Sequence, residues 1–174
     1  TLPLGIFFGA NNGTFYGEPL VLQTTPLQFT VWANNSGGSI STSMSVSVKA
    51  IAPTIEYNPE NQTITNNSLM NPMIPNIAGG EIETWEINAT LPNGITFDSS
   101  NGSLYGTPVE LWPTTSYTIW ANNSGGSVGA IINLTVIDEV PTDFVYSPHN
   151  LTLTNNTASP VLPLIPQLTG PGEI

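Results

Sequence analysis

The chain repeats itself at a spacing of 88 to 89 residues, and the repeat is out of phase with the chain. Thr1-Leu2-Pro3-Leu4-Gly5-Ile6-Phe7-Phe8 returns as Thr90-Leu91-Pro92-Asn93-Gly94-Ile95-Thr96-Phe97, and Val31-Trp32-Ala33-Asn34-Asn35-Ser36-Gly37-Gly38-Ser39 returns as Ile119-Trp120-Ala121-Asn122-Asn123-Ser124-Gly125-Gly126-Ser127. A second block, Tyr57-Asn58-Pro59 through Thr65-Asn66-Asn67, returns as Tyr146-Ser147-Pro148 through Thr154-Asn155-Asn156. Self-similarity at a fixed period marks like units stacked along an axis. The expected organisation is therefore the closing part of one unit in residues 1–51, a complete unit in 52–139, and the opening part of the next in 140–174.

Within each unit the strand signals are strong. Met44, Val46 and Val48 alternate with serines, and their counterparts Ile132, Leu134 and Val136 alternate with Asn133 and Thr135. Trp85 and Ile87 alternate with Thr84, Glu86 and Asn88 in the same way. Period two with one polar face predicts half-buried strands. Asn12-Gly13 and Asn101-Gly102 are expected to turn tight hairpins through positive φ. Sixteen prolines and sixteen glycines, with no long window of period 3.6, leave little room for helix. An all-β fold of tandem Ig-like β-sandwich repeats of about 88–90 residues is expected. Val48 to Ala52 and Val136 to Val140 read as short linkers, each closed by a proline, Pro53 or Pro141.

Leu91-Pro92-Asn93-Gly94-Ile95-Thr96-Phe97-Asp98, then Asn101-Gly102, then Gly106-Thr107-Pro108, then Asn122 to Gly126, resembles the He_PIG-type, cadherin-like Ig domain found in tandem arrays on microbial surface proteins. The first copy departs from that pattern, with Gly9 in place of Asp98 and Glu18 in place of Thr107. The resemblance implies an Ig-like sandwich used as a spacer or adhesive module. Fold likeness alone assigns no activity.

Composition narrows the function further. With one lysine, no arginine and a net charge of −11, the surface cannot displace counterions from phosphates, so nucleic acid is excluded as an electrostatic partner. No apolar run approaches the roughly 20 residues that span a bilayer, so this segment is not expected to insert directly into a membrane. No cysteine is present, which removes disulfides and thiolate metal sites.

The strongest chemical signal is the sequon Asn-x-Ser/Thr, the acceptor for N-linked glycans. It occurs at Asn12, Asn34, Asn61, Asn66, Asn88, Asn101, Asn122, Asn133, Asn150 and Asn155. The composition alone would give roughly four. Asparagine is also a common turn residue, which is reason enough for Asn12 and Asn101. Asn88 and Asn133, by contrast, fall on polar strand faces.

Other chemistry has weaker support. Asp138, Glu139 and Asp143 flank a linker, as calcium-binding carboxylates do in cadherin-like domains. Calcium takes six to eight oxygens, and the other linker, Lys49 to Thr54, has no acid, so no repeated calcium site is expected. No other cofactor is expected apart from the glycans. Glu81, Glu83 and Glu86, or Asp98 with Glu110, could form a glycosidase pair only in a cleft, and none is legible. His149, the sole histidine, has no partner acid in a triad pattern, so the chain is read as no enzyme. Lys49 could form an isopeptide bond, but its counterparts Ile137 and Asp138 could not. Trp32 and Trp120 fall on the outward face, and Trp112 in a loop. Exposed aromatics stack on sugars, so an adhesin or carbohydrate-binding module is the alternative.

The expected role is a structural segment of a heavily N-glycosylated extracellular fibre, stalk or surface layer; the sequon density suits an archaeal or eukaryotic surface better than a bacterial one, and an archaeal source is expected. Its partners would be neighbouring copies or repeats of itself, head to tail. Residues 1–51 and 140–174 are complementary parts of one unit, lacking only the stretch equivalent to Glu83–Ala89. They are expected to share a core, either within a longer continuous chain, the preferred version, or between separate copies.

Overall fold

The computed structural model describes residues 1–146, Asn155 and 167–169, and contains only strands and turns. The complete sandwich lies in residues 53–137. Its larger sheet has four strands in the order β6 (Asn61–Thr65), β12 (Gly126–Ile137), β11 (Trp112–Asn123) and β8 (Thr84–Ile87). β11 pairs antiparallel with β12 and β8, whereas β6 runs parallel to β12, Asn61 opposite Asn133 and Thr65 opposite Ile137. The facing layer consists of the pair β5 (Pro53–Tyr57) and β7 (Pro75–Gly79) and the hairpin β9 (Ile95–Phe97) and β10 (Leu104–Gly106). A bridge from Met73 to Leu104 joins the two pairs.

Alternation decides what is buried. Tyr117, Ile119 and Ala121 of β11, and Ile132 and Leu134 of β12, are fully enclosed, while the residues between them stay partly or fully exposed. Tyr57, Ile64, Met70, Met73, Trp85, Ile95 and Leu104 close over them from the other strands. Burial of these large side chains supplies the main stabilisation, about 1.5–3 kcal/mol each. Trp112 opens β11 and is half-buried, not in a loop as the following proline suggests.

Residues 1–51 repeat the last four of these strands almost register for register. β1 (Ile6–Gly9) pairs with β2 (Thr14–Gly17), Ile6 opposite Gly17, as Ile95 lies opposite Gly106 in β9–β10. β3 (Gln23–Asn35) pairs with β4 (Gly38–Val48), Phe29 opposite Met44 and Asn35 opposite Gly38, as Tyr117 lies opposite Ile132 and Asn123 opposite Gly126. The copies differ at one bulge. Thr24, Thr25 and Pro26 separate paired residues of β3, where β11 has only Pro113 and Thr114. That extra residue is why the repeat spacing falls from 89 to 88.

The Asn-Gly turns are longer than the tight hairpin expected from sequence. Four residues connect Gly9 to Thr14, and Gly13 and Gly102 carry the positive φ while their asparagines do not. Each asparagine instead caps its turn with its side chain. Asn101 Oδ1 accepts from Ser103 N at 2.9 Å and Ser103 Oγ at 2.5 Å, and Asn12 Oδ1 accepts from Thr14 N at 3.2 Å and Thr14 Oγ1 at 2.8 Å.

Past the second linker, β13 (Asp143–Val145) pairs with β14 (Gln167–Thr169), Phe144 opposite Leu168. This repeats the β5–β7 pairing, in which Ile55 lies opposite Ile77.

Candidate functional site

Among the described residues no single cleft gathers the polar side chains; the candidate features are the sequons, an uncovered apolar face and a turn that grips a linker. Among the described sequons, Asn12, Asn34, Asn61, Asn88, Asn101 and Asn155 are exposed, and Asn66, Asn122 and Asn133 are half-buried. Asn150 lies outside the described residues.

The strands explain these placements. Asn88 follows β8 and is exposed, and its Oδ1 accepts the Thr118 amide at 3.0 Å. Asn133 sits on the polar face of β12, accepts from Ser116 Oγ at 2.5 Å, and donates to Asn61 Oδ1 at 2.6 Å. The parallel pairing thus brings two sequons into contact from 72 residues apart, which no local pattern announces. Asn122 donates to Glu86 Oε1 at 3.2 Å and Thr84 Oγ1 at 3.3 Å. Asn66 keeps its Oδ1 buried with no protein partner.

The second feature is the inner face of residues 1–51. Phe29, Val31, Met44 and Val46 are only half-buried, although their counterparts Tyr117, Ile119, Ile132 and Leu134 are fully enclosed. The reason is that in the second unit β5 and β7 lie over this face, while β6 and β8 extend its sheet on either side. In the first copy Phe8 and Phe15 cover one end, leaving an open groove of about 470 Å³ lined also by Leu2, Phe29 and Val31.

The third feature lies where the two copies join. β4 ends at Val48, and the backbone of residues 50–51 is held by the turn between β11 and β12. Ser124 Oγ accepts the Ala50 amide at 3.1 Å. Asn123 Nδ2 donates to Ile51 O at 2.7 Å and Glu81 O at 2.9 Å, while its Oδ1 accepts from Gly125 N at 2.8 Å and Gly126 N at 3.2 Å. Gly125 is needed for close approach: a Cβ there would lie 2.2 Å from Ala50 O and 2.8 Å from Ala52 N. In the sequence this segment figures only as part of the family resemblance, with no task attached. The available signal was its identity in both copies beside linkers that share almost nothing.

The acidic residues have local tasks. Asp98 Oδ1 accepts from Ser100 N at 2.8 Å and Ser100 Oγ at 2.6 Å, and these bonds, with one from Asn101, hold its carboxyl below the usual range. Glu110 accepts the Asn93 amide at 2.8 Å. Asp138 and Glu139 are exposed, the side chain of Asp143 and all of His149 lie outside the described residues, and no cluster of three metal-ligating side chains occurs among the described ones. Lys49 is exposed. Burial pushes the phenols of Tyr57 and Tyr117 up, the latter partly offset by Trp112. Tyr117 Oη donates to Thr90 O at 3.4 Å.

The tryptophans do not form one repeated platform. Trp32 is 61 % exposed, whereas Trp120 is half-buried against Gly129 across the ladder. No helix among the described residues is long and apolar enough to cross a membrane.

The family described as "Putative Ig domain" (He_PIG) matches residues 1–49 and again 52–137. The chain belongs to that family, and its fold is the Ig-like β-sandwich. Similar solved structures include the extracellular domains 3–5 of Drosophila OTK, at 22 % identity and TM-score 0.45 over 78 % of this chain and 47 % of that one. Sidekick-1 immunoglobulin domains 1–5 match at 22 % identity and TM-score 0.42, over 78 % of this chain and 30 % of theirs. A protein described as a "putative alpha-galactosidase/melibiase" from Bacteroides fragilis NCTC 9343 matches at 21 % identity and TM-score 0.43, over 51 % of this chain and 18 % of that one. The chain thus spans less than half the length of each of these three. No curated protein sequence matches it.

Proposed function

We propose that the chain is a structural, non-catalytic segment of a tandem Ig-like array, N-glycosylated at several of its sequons and displayed outside the cell in a fibre, stalk or surface layer. The observation that carries this reading is the repeated register: β1–β4 pair as β9–β12 do, yet their apolar face lacks the cover of a β5–β7 pair and the flanking strands that β6 and β8 supply in the second unit. A face built to that pattern needs the same cover, a segment like residues 53–87 from a neighbouring unit. Head-to-tail supply of that segment propagates along one axis without closing. Sugars on an acidic surface with one lysine and no arginine would keep such an array soluble and deny trypsin-like proteases their sites. The adhesin alternative draws on Trp32, which lines the mostly apolar groove, and among the described residues no concave site of converging polar groups accompanies it.

The test is a version of the chain extended ahead of Thr1 by a second copy of residues 48–89. The reading expects Phe29, Val31, Met44 and Val46 to become enclosed, with amide protection in β3 and β4 rising to that of β11 and β12. Unchanged protection in β3 and β4 would show that this face takes no such cover.

A further inference from the structure

We propose that the Asn123–Gly126 turn is a clasp for the backbone of the linker entering its unit, fixing the joint between consecutive units, and that the same turn at Asn35–Gly38 takes the linker of a preceding unit. Two successive linker residues are gripped by the turn through main-chain atoms, the Ala50 amide by Ser124 Oγ and the Ile51 carbonyl by Asn123 Nδ2, and the next carbonyl, of Ala52, already belongs to the β5–β7 pairing, accepting the Gly80 amide at 3.4 Å. Nothing in the grip reads a linker side chain, and Ile51 is 76 % exposed. This accounts for an asymmetry in the sequence. The turn is Asn-Asn-Ser-Gly-Gly-Ser in both copies, whereas Lys49-Ala50-Ile51-Ala52 has become Ile137-Asp138-Glu139-Val140 at the next joint. A device that reads backbone constrains itself and leaves its substrate free to vary.

The clasp also sets how freely two units can swing. β4 ends at Val48 and the grip begins at Ala50, so Lys49 alone separates strand from clasp. A one-residue joint permits far fewer conformations than a free linker of five residues, because each fixed residue removes about 1–2 kcal/mol of backbone entropy. At Asn35 the same apparatus is set but open. Asn35 Oδ1 accepts from Gly37 N at 2.8 Å, as Asn123 does from Gly125, and Asn35, Ser36 and Gly37 are exposed. The joint at Ala50 lies within this chain and does not depend on the array reading; the occupant of the Asn35 turn does.

The experiment uses the unglycosylated chain, because Ser124 is also part of the Asn122 sequon. Ser124→Ala should speed amide exchange at Ala50 about fivefold, the loss of one ordinary hydrogen bond, with Ile119 and Leu134 unchanged. Ser36→Ala, with no linker in its turn, should leave Ala50 unaffected. Gly125→Ala should broaden the distance between spin labels on Ser45→Cys and Thr96→Cys, which are unique sites in a chain without cysteine. Unchanged Ala50 exchange in Ser124→Ala, with the core still protected, would overturn the clasp whatever Gly125→Ala does. In the chain extended by residues 48–89, Ser36→Ala should speed exchange at the added linker's Ala50 equivalent. If the extension folds onto residues 1–51 and that amide does not respond, the Asn35 turn takes no linker; if it does not fold on, the array reading fails while the joint at Ala50 stands.

Discussion

Replacing Gly102 by alanine should be among the most damaging single-methyl changes this fold can receive, and Gly13 supplies its internal control. Both glycines close equivalent four-residue turns with nearly equal dihedrals, φ 76° at Gly102 and 71° at Gly13. Their surroundings differ. A Cβ on Gly102 would lie 2.5 Å from two ring carbons of Trp85 and 2.8 Å from a third, whereas a Cβ on Gly13 meets nothing within 4 Å. The Gly102 carbonyl also accepts the Tyr57 hydroxyl at 2.5 Å, so the turn cannot move away without losing a buried bond. Left-handed backbone costs a non-glycine residue about 1–2 kcal/mol, and overpacking adds about 1–3 kcal/mol. Gly102→Ala should therefore cost about 2–5 kcal/mol, a large share of the 5–15 kcal/mol typical of a domain. With a urea slope near 2 kcal/mol/M, the midpoint should fall by roughly 1–2.5 M. Gly13→Ala bears only the backbone cost, confined to β1–β2, and should leave the main transition in place. Urea unfolding followed by tryptophan fluorescence and circular dichroism decides it. A Gly102→Ala midpoint indistinguishable from that of Gly13→Ala would refute the packing of Trp85 on this turn.

Intact glycopeptide mass spectrometry of protein from its natural source should find sugars on Asn34, Asn88, Asn122 and Asn133; unmodified peptides at all four would remove the glycoprotein reading. EDTA should not shift the melting temperature, since the two linkers share no oxygen cage, and a drop of many degrees would implicate Asp138, Glu139 and Asp143. Stability should hold steady from neutral pH to about pH 10 and decline above it, because the unfolded chain releases its tyrosine protons near that pH while Tyr57 and Tyr117 keep theirs. Tyr57→Phe and Tyr117→Phe together should flatten that decline in pH-dependent unfolding, and an unaltered slope would contradict the cause.

Most of the strand layout was legible because its signal is local. Alternation in Met44-Ser45-Val46 and in Ile132-Asn133-Leu134 marks the same face in both copies. What it cannot say is whether that face is covered, which is decided by β5–β8, elements far away in sequence. That is why like patterns give full enclosure at Ile132 and half-burial at Met44. Trp112 was misplaced because Pro113 reads as a breaker, whereas here it sits in the bulge opposite β12 and is accommodated. The turn asparagines were legible as turn residues but not in their task, since a side-chain cap and a positive φ favour the same residue type. Contact between Asn61 and Asn133, and the grip of Asn123 on Ile51, are pairings at long range with no periodic trace.

The parallel pairing of β6 with β12 determines how a unit answers tension. Pull the chain by its entry at Pro53 and its exit at Ile137, and the two strands are drawn in opposite directions along their shared axis. Their hydrogen bonds, from Asn61 opposite Asn133 to Thr65 opposite Ile137, are then strained together in shear instead of opening one after another like a zip. The antiparallel pair β5–β7 precedes this ladder in the path of the force and can yield first. Stretching therefore meets a small early extension, then a stiff barrier set by five residue pairs, and only afterwards the release of the core around Tyr117 and Leu134.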